Sequence, residues 1–218
     1  MEPSIVMVEG IIGAGKTTFC HLFHTLLTSK GIDSIILYEP ITDDDPTLKL
    51  FLSNCERYAF FFQISIVQRR IKLYKKALKL KAQGKVVIID RSLRGDQAFE
   101  EMFYRKGTIT QVEHEYYLAH VNDVLKSIIE PDMIVYLDVS TTEAMTRIAS
   151  RNRMTETSVY DENYLTTLKS IYDEVICRGD NVISIKNSAS ADLANYKTNM
   201  VSALKIVEGR LAGLIFAD

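Results

Sequence analysis

Tryptophan is absent, and only four prolines and ten glycines punctuate the 218 residues. So little punctuation leaves no Pro/Gly-rich linker. No internal repeat or low-complexity tract replaces it, which argues for one domain across residues 1–218. A chain of this length buries roughly 70–75% of its unfolded surface, so it needs no disulfide or structural metal to fold. Cysteine is scarce too: Cys20, Cys55 and Cys177 are odd in number, widely spaced and without a C-x-x-C pair. That excludes a disulfide framework and points to a reduced, cytoplasmic compartment. No apolar run approaches the ~20 residues that span a bilayer. The step from Pro3 into Ile5–Val8 is too short for a signal peptide, so a soluble protein with no membrane partner is expected. An excess of positive charge is also missing. With a net charge of −2 and a pI near 6.1, a nucleic acid polymer is not an expected partner.

What the chain does have is alternation. Short β-branched runs at 4–8, 34–38, 86–89, 133–137 and 182–185 are separated by helical patterns. Those patterns fall at 16–30, 46–54, 57–83, 94–106, 110–128, 141–152, 160–177 and 190–213. Near-continuous apolar strands between helices predict an α/β fold, a five-stranded parallel sheet with helices on both faces. Asp45-Pro46 reads as an N-cap followed by proline at the first helical position, and Ser140-x-x-Glu143 as a capping box. Gly10, Glu39, Asp90 and Asp138 each follow the apolar part of a strand. In an open parallel sheet ligands bind beyond the carboxyl ends of the strands, so these residues belong to one edge.

Gly10-Ile11-Ile12-Gly13-Ala14-Gly15-Lys16-Thr17 fits G-x-x-x-x-G-K-[ST], with a strand before it and a helix after it. The glycines turn backbone N–H groups onto phosphate oxygens, and the helix N-terminus adds a favourable dipole. Gly10, Gly13, Ala14, Gly15, Lys16, Thr17 and Thr18 are therefore candidate ATP-binding residues. Lys16 is expected at the β/γ-phosphates and Thr17 on Mg²⁺. This identifies a P-loop NTPase fold but not a reaction.

The reaction must come from the strand ends. Glu39-Pro40 follows the second run and Asp90-Arg91-Ser92 the third. A carboxylate beside a γ-phosphate can accept the proton of an attacking hydroxyl, and an arginine can hold it in line. The plainer alternatives are a surface glutamate before a turn and a helix-capping aspartate. Gln63 and Arg70 are seven apart on one helical face, about 10 Å along the axis, after the aromatic run 58–62. They line a cavity, or they are a satisfied amide and a snorkelling arginine. Arg147 and Arg151 share a face with Arg153 just beyond, a phosphate-binding set or a basic helix end.

In order and spacing, Gly10–Thr18, Glu39-Pro40, Phe62-Gln63, Asp90-Arg91-Ser92 and Arg147-x-x-x-Arg151-x-Arg153 resemble the motif series of the deoxynucleoside kinase family. They look most like its bacterial deoxyadenosine/deoxyguanosine kinase branch. The resemblance implies phosphorylation of a deoxynucleoside 5′-hydroxyl by Mg-ATP, with Glu39 as general base, Arg91 positioning it and Asp90 acting at the metal. It implies a lid at about 147–158, in which Arg151 and Arg153 hold phosphate and Glu156 faces the sugar. Gln63 corresponds to the residue that reads the base, and Arg70 to an arginine paired with an aspartate, here Asp96. Phe62 and Phe99 are candidates to sandwich the base. On that resemblance Asp96 accepts from an exocyclic amine and Arg70 donates to a ring acceptor of the substrate, which favours adenine, guanine or cytosine over thymine. The tyrosine usual eleven residues before the glutamine is replaced by Leu52, or by Phe51 on a one-residue slip.

A homodimer is also implied, and the seam Tyr116, Tyr117, Val121, Val124 and Leu125 is the candidate interface. A thymidylate-type monophosphate kinase shares the P-loop and the Asp-Arg motif. Asp43-Asp44-Asp45 reads as a solvated, capping loop; were its carboxylates to face the site they would repel a dianionic acceptor, which stands against that kinase. A non-catalytic nucleotide-binding scaffold subunit would be expected to carry damaged motifs, and these are intact. His21, His24, His114 and His120 show no metal spacing. Lys72–Lys85 reads as a solvated helix face, and Leu193, Tyr196, Met200, Leu204 and Val207 as core.

Overall fold

The computed structural model describes residues 3–38, 41–42, 44–127, 130–150, 160–176, 181–187, 201 and 204–209. The strands are β1 (Ile5–Glu9), β2 (Ser34–Leu37), β3 (Val86–Asp90), β4 (Met133–Asp138) and β5 (Val182–Lys186). They form one parallel sheet in the order β2-β3-β1-β4-β5. The helices are α1 (Lys16–Ser29), α2 (Pro46–Ser53), α3 (Cys55–Ala82), α4 (Leu93–Arg105), α5 (Gln111–Ser127), α6 (Thr141–Ser150) and α7 (Glu162–Val175). Every residue of β1 and β3 is buried, and alternate side chains point to opposite faces, so the centre of the sheet is covered on both sides. The edge strands β2 and β5 are only partly covered.

Side-chain caps decide where several helices begin. Asp45 accepts from the N–H groups of Thr47 and Leu48, with Pro46 at the first position, as the sequence predicts. Asn54 accepts from Arg57 N–H, which starts α3 at Cys55 rather than at 57. Ser92 caps α4 through Gly95 N–H, and Ser140 accepts from Glu143 N–H at the head of α6.

Two expectations change. The seam on α5 is mostly core: Tyr117 and Val121 are fully buried and pack with Val67 and Leu93, while Tyr116 alone of the set stands out at 61% exposure. Its spacing was amphipathic, but the chain's own α3 covers it. The acidic loop is not a free negative field either. Asp45 is ion-paired with Arg69, which with the Thr47 contacts holds its pKa down to about 2, and Asp44 pairs with Lys49. Asp43 lies outside the described residues, as do Cys177 and most of the predicted last helix. Residues 204–209 are helical, with Leu204 and Val207 in the core. His114, partly buried, pairs with Glu100: its Nδ1 is 3.1 Å from both carboxylate oxygens.

Glu100 on α4 is fully buried, and burial raises its pKa from 4.5 to about 7 despite the His114 contact. The folded state therefore holds a proton that the unfolded chain has released. Its contribution to stability is complete below pH 4.5 and is lost as pH rises through 7, by at most about 3 kcal/mol. Glu100→Gln cannot ionise. The melting temperature of this variant relative to the parent is expected to move in the variant's favour between pH 5 and pH 8. Thermal denaturation at the two pH values checks this, and a pH-independent offset would remove Glu100 as the source.

Candidate active site

Register brings the strand-end residues level. Val8 of β1 pairs with Asp90 of β3, so Glu9 and Arg91 are the next residues on adjacent strands, and Arg91 N–H donates to Val8 O at 3.0 Å. Between β1 and α1 the chain makes the phosphate-binding turn. Gly13 has φ 81, and a Cβ there would lie 2.6 Å from Ala144 O, so the loop packs directly on the backbone of α6. Gly15, with φ 89, is the N-cap of α1 and leaves that helix end facing the turn. Lys16 Nζ donates to Gly10 O and Ile11 O, both at 2.9 Å, and is held over the loop.

Thr17 Oγ1 donates to Asp90 Oδ2 at 2.7 Å. A hydroxyl and a carboxylate, side by side at the head of the P-loop helix, form a hard-oxygen pair suited to Mg²⁺. Thr18 is exposed on the first turn of α1. Arg147 lies behind the loop, donating to Gly13 O and Ala14 O (3.3 and 3.4 Å) and to Asn187 O (2.9 Å). Asn187 in turn donates to Ala14 O at 2.6 Å.

Arg91 is the one described non-glycine residue with positive φ, at 73. Its Nη1 donates to the Tyr172 hydroxyl at 2.8 Å, and its guanidinium lies 5.1 Å over the Phe99 ring. A left-handed residue here costs roughly 1–2 kcal/mol and swings the side chain out of strand alternation towards the sheet edge.

A cleft of about 760 Å³ opens at this edge. Gly13, Gly15, Lys16 and Thr17 line one end. Asp90 and Arg91 line the middle, with Phe51, Phe62, Gln63, Asp96, Phe99, Tyr160 and Tyr164 around them. Phe62 stacks on Phe51 with centroids 4.6 Å apart and planes at 8°. Of Leu52 and Phe51, Phe51 is the one that lines the cleft. Arg70 stands behind Asp96 and outside the cleft lining. It donates through Nε and Nη2 to the two carboxylate oxygens (2.9 and 3.0 Å) and through Nη1 to Asp90 O (3.1 Å). It thus orients Asp96 from behind, where direct donation to a ligand was expected. Gln63 is 2% exposed, and its Oε1 has no hydrogen-bond partner among the described residues. A buried carbonyl left so costs about 1–3 kcal/mol until a donor reaches it. Glu39, Arg151, Arg153 and Glu156 lie outside the described residues, although Tyr38, Ile41 and Thr42 on either side of Glu39 line the cleft.

A phosphate loop at one end and an unsatisfied amide with an oriented carboxylate at the other make a two-ended site. The family model described as deoxynucleoside kinase matches residues 6–208. The chain belongs to the deoxynucleoside kinase family. It is 30% identical over 177 residues to a deoxyguanosine kinase of Lactobacillus johnsonii, covering 78% of this chain and 75% of that protein. It is 29% identical over 184 residues to a deoxyadenosine/deoxycytidine kinase of Bacillus subtilis, covering 83% and 77%. In fold it is similar to a solved deoxyadenosine kinase from M. mycoides with bound dCTP, at TM-score 0.76 and 23% identity over 94% of this chain and 99% of that one.

As a deoxynucleoside kinase the chain has site residues that the sequence reading passed over. Glu9 is wholly buried, and its carboxyl pKa is raised by burial although Arg91 opposes the shift. Tyr172 links Glu9 to Arg91, and Tyr160 and Tyr164 line the cleft. The available signal for Glu9 was a charged residue closing a strand that is otherwise apolar. Tyr160 and Tyr164 were visible only as an i, i+4 pair.

The Arg70–Asp96 pair, 2–3% exposed, allows a stability test. Asp96→Asn leaves a buried guanidinium without its counter-charge, which costs about 3–5 kcal/mol. A denaturant midpoint unchanged from the parent would show that the pair is solvated in solution.

Proposed function

We propose that this kinase transfers the γ-phosphate of Mg-ATP to the 5′-hydroxyl of deoxyadenosine, deoxyguanosine or deoxycytidine, with poor use of thymidine. The observation that carries the base preference is the unpartnered Gln63 Oε1 in a cleft that Asp96 also lines. Adenine, guanine and cytosine each bring an exocyclic amine to those two acceptors. Thymine has a carbonyl and a methyl in place of that amine, so it brings Asp96 no donor beyond the Arg70 it already has. Sites built on such hydrogen bonds discriminate by about 10⁴. The names of the relatives, which include deoxyguanosine and deoxyadenosine/deoxycytidine kinases, agree with that range of bases.

In this reading Glu39 accepts the hydroxyl proton and Arg91 aligns acceptor and base. Phe62 and Phe99 flank the nucleobase, and Glu156 faces the sugar. Lys16 and the P-loop N–H groups hold the phosphates, and Arg151 and Arg153 close over them as charge builds on the transferring group. Thr17 and Asp90 would hold Mg²⁺, which when bound neutralises charge on the phosphates. Arg147 serves the nucleotide by fixing the loop carbonyls. The expected cytoplasmic homodimer would cover Phe61, Val112 and Tyr116, which are exposed on α3 and α5; a monomer in sedimentation at assay concentration would rule it out. The acidic loop no longer argues against a dianionic acceptor, because Asp44 and Asp45 are paired, so dTMP belongs in the assay.

The test is ADP release with Mg-ATP and each of four deoxynucleosides, the ribonucleosides and dTMP, for the parent and for Glu39→Gln. Thymidine is expected to show kcat/KM far below the best of the other three, and equality would end the base assignment. Glu39→Gln is expected to lower kcat by about 10²–10⁴ with ATP affinity kept. Unchanged turnover would take Glu39 out of the role.

A further inference from the structure

Glu9 ends β1 with no solvent exposure, at a place where an apolar residue would cost nothing to bury. Its carboxylate accepts from the Ser92 backbone N–H and from the Tyr172 hydroxyl (3.3 Å), and that hydroxyl accepts from Arg91 Nη1 at 2.8 Å. Gly95 sits directly over it: a Cβ there would lie 2.5 and 2.6 Å from the two carboxylate oxygens. The first turn of α4 therefore closes on the anion, a favourable arrangement for a helix N-terminus. Arg91, between Asp90 and Ser92, is left-handed at φ 73, and the Glu9–Ser92 hydrogen bond anchors the turn just past that residue. Backbone and side chain of the Arg91 turn thus converge on one carboxylate, the first through Ser92 and the second through Tyr172.

We propose that Glu9 is a positioning residue for phosphoryl transfer, holding the Arg91 turn and guanidinium in line through Ser92 and Tyr172. The proposal rests on the reading of Arg91 as the residue that aligns the acceptor, and the experiment keeps the two apart. It is a double-mutant cycle on the full chain with Glu9→Gln, Arg91→Ala and the double variant. It reads kcat, both KM values and the melting temperature with Mg-ATP and deoxyadenosine, deoxyguanosine or deoxycytidine, whichever the parent uses best.

Misplacing a catalytic group by an ångström costs about a hundredfold, so Glu9→Gln is expected to lower kcat about 10–100-fold with KM for ATP nearly unchanged. In the Arg91→Ala background, where no guanidinium is left to position, the same substitution is expected to change kcat less than about threefold. A Glu9→Gln effect equal in both backgrounds would show a role independent of Arg91 and overturn the proposal. So would a folded Glu9→Gln enzyme with the parent's kcat. Arg91→Ala with the parent's kcat would instead overturn the reading of Arg91, whatever Glu9 does. Should Glu9→Gln fail to fold, Tyr172→Phe removes a single hydroxyl from the same path. It carries the same cycle with a smaller expected loss, and an equal effect in both backgrounds would again decide against the proposal.

Discussion

Charge balance in a dry place governs this molecule. At the carboxyl edge of the sheet, Glu9, Asp90 and Asp96 meet Lys16, Arg70 and Arg91, all between 0 and 8% exposed. Each ion alone would lose several kcal/mol of hydration on burial, so none is tolerable without its neighbours. The six residues come from β1, β3, α1, α3, α4 and the turn after β3. Balancing them therefore requires these elements to meet at one point. Arg70 makes the dependence concrete: one guanidinium ties α3 to the first turn of α4 through Asp96 and to the end of β3 through Asp90 O. The apolar core makes the sheet stable, but this network sets how the strand ends and helix starts are placed around the cleft.

The sequence was most legible where structure is local. Strands made of continuous β-branched residues fell within a residue or two of their observed limits, because a centrally buried parallel strand needs nothing else. The P-loop was readable because its glycines answer to local geometry, as Gly13 against Ala144 O illustrates. Gln63 and Asp96 were found together only through family resemblance, since 33 residues separate them and nothing in either segment announces the other.

What escaped the sequence was tertiary. The apolar face of α5 has the spacing of an interface and also the spacing of a core helix. Only its contact with Val67 and Leu93 decides for the core. The aspartates at 43–45 read as a solvated, capping loop, and Asp45 does cap α2, but Arg69, 24 residues beyond it, closes on the same carboxylate and no local pattern announces that. Glu9 was hidden for a different reason. A glutamate before the first P-loop glycine reads as the end of an apolar run, and its meaning lies in Ser92, Gly95 and Tyr172, none of them near it in sequence.

The two ends of the cleft are built to different tolerances, and the difference follows from what each must recognise. Phosphate is the same in every donor nucleotide, so its end is made of backbone: glycines packed on α6, a helix start, and loop carbonyls held by Arg147 and Asn187. Backbone braced in this way cannot be retuned one side chain at a time. Acceptor bases differ only at their edges, and the end that the proposed reading gives them is made of side chains: a buried amide, a carboxylate aimed by an arginine, and aromatic faces. Asp96 joins the two regimes. It lines the part of the cleft that the proposed reading gives to the base, yet it is fixed by the same Arg70 that grips the β3 terminus carrying Asp90. On that reading a change at the base edge that disturbs Asp96 would reach the strand end beside the phosphate loop through Arg70, coupling selectivity for the acceptor to the geometry of transfer.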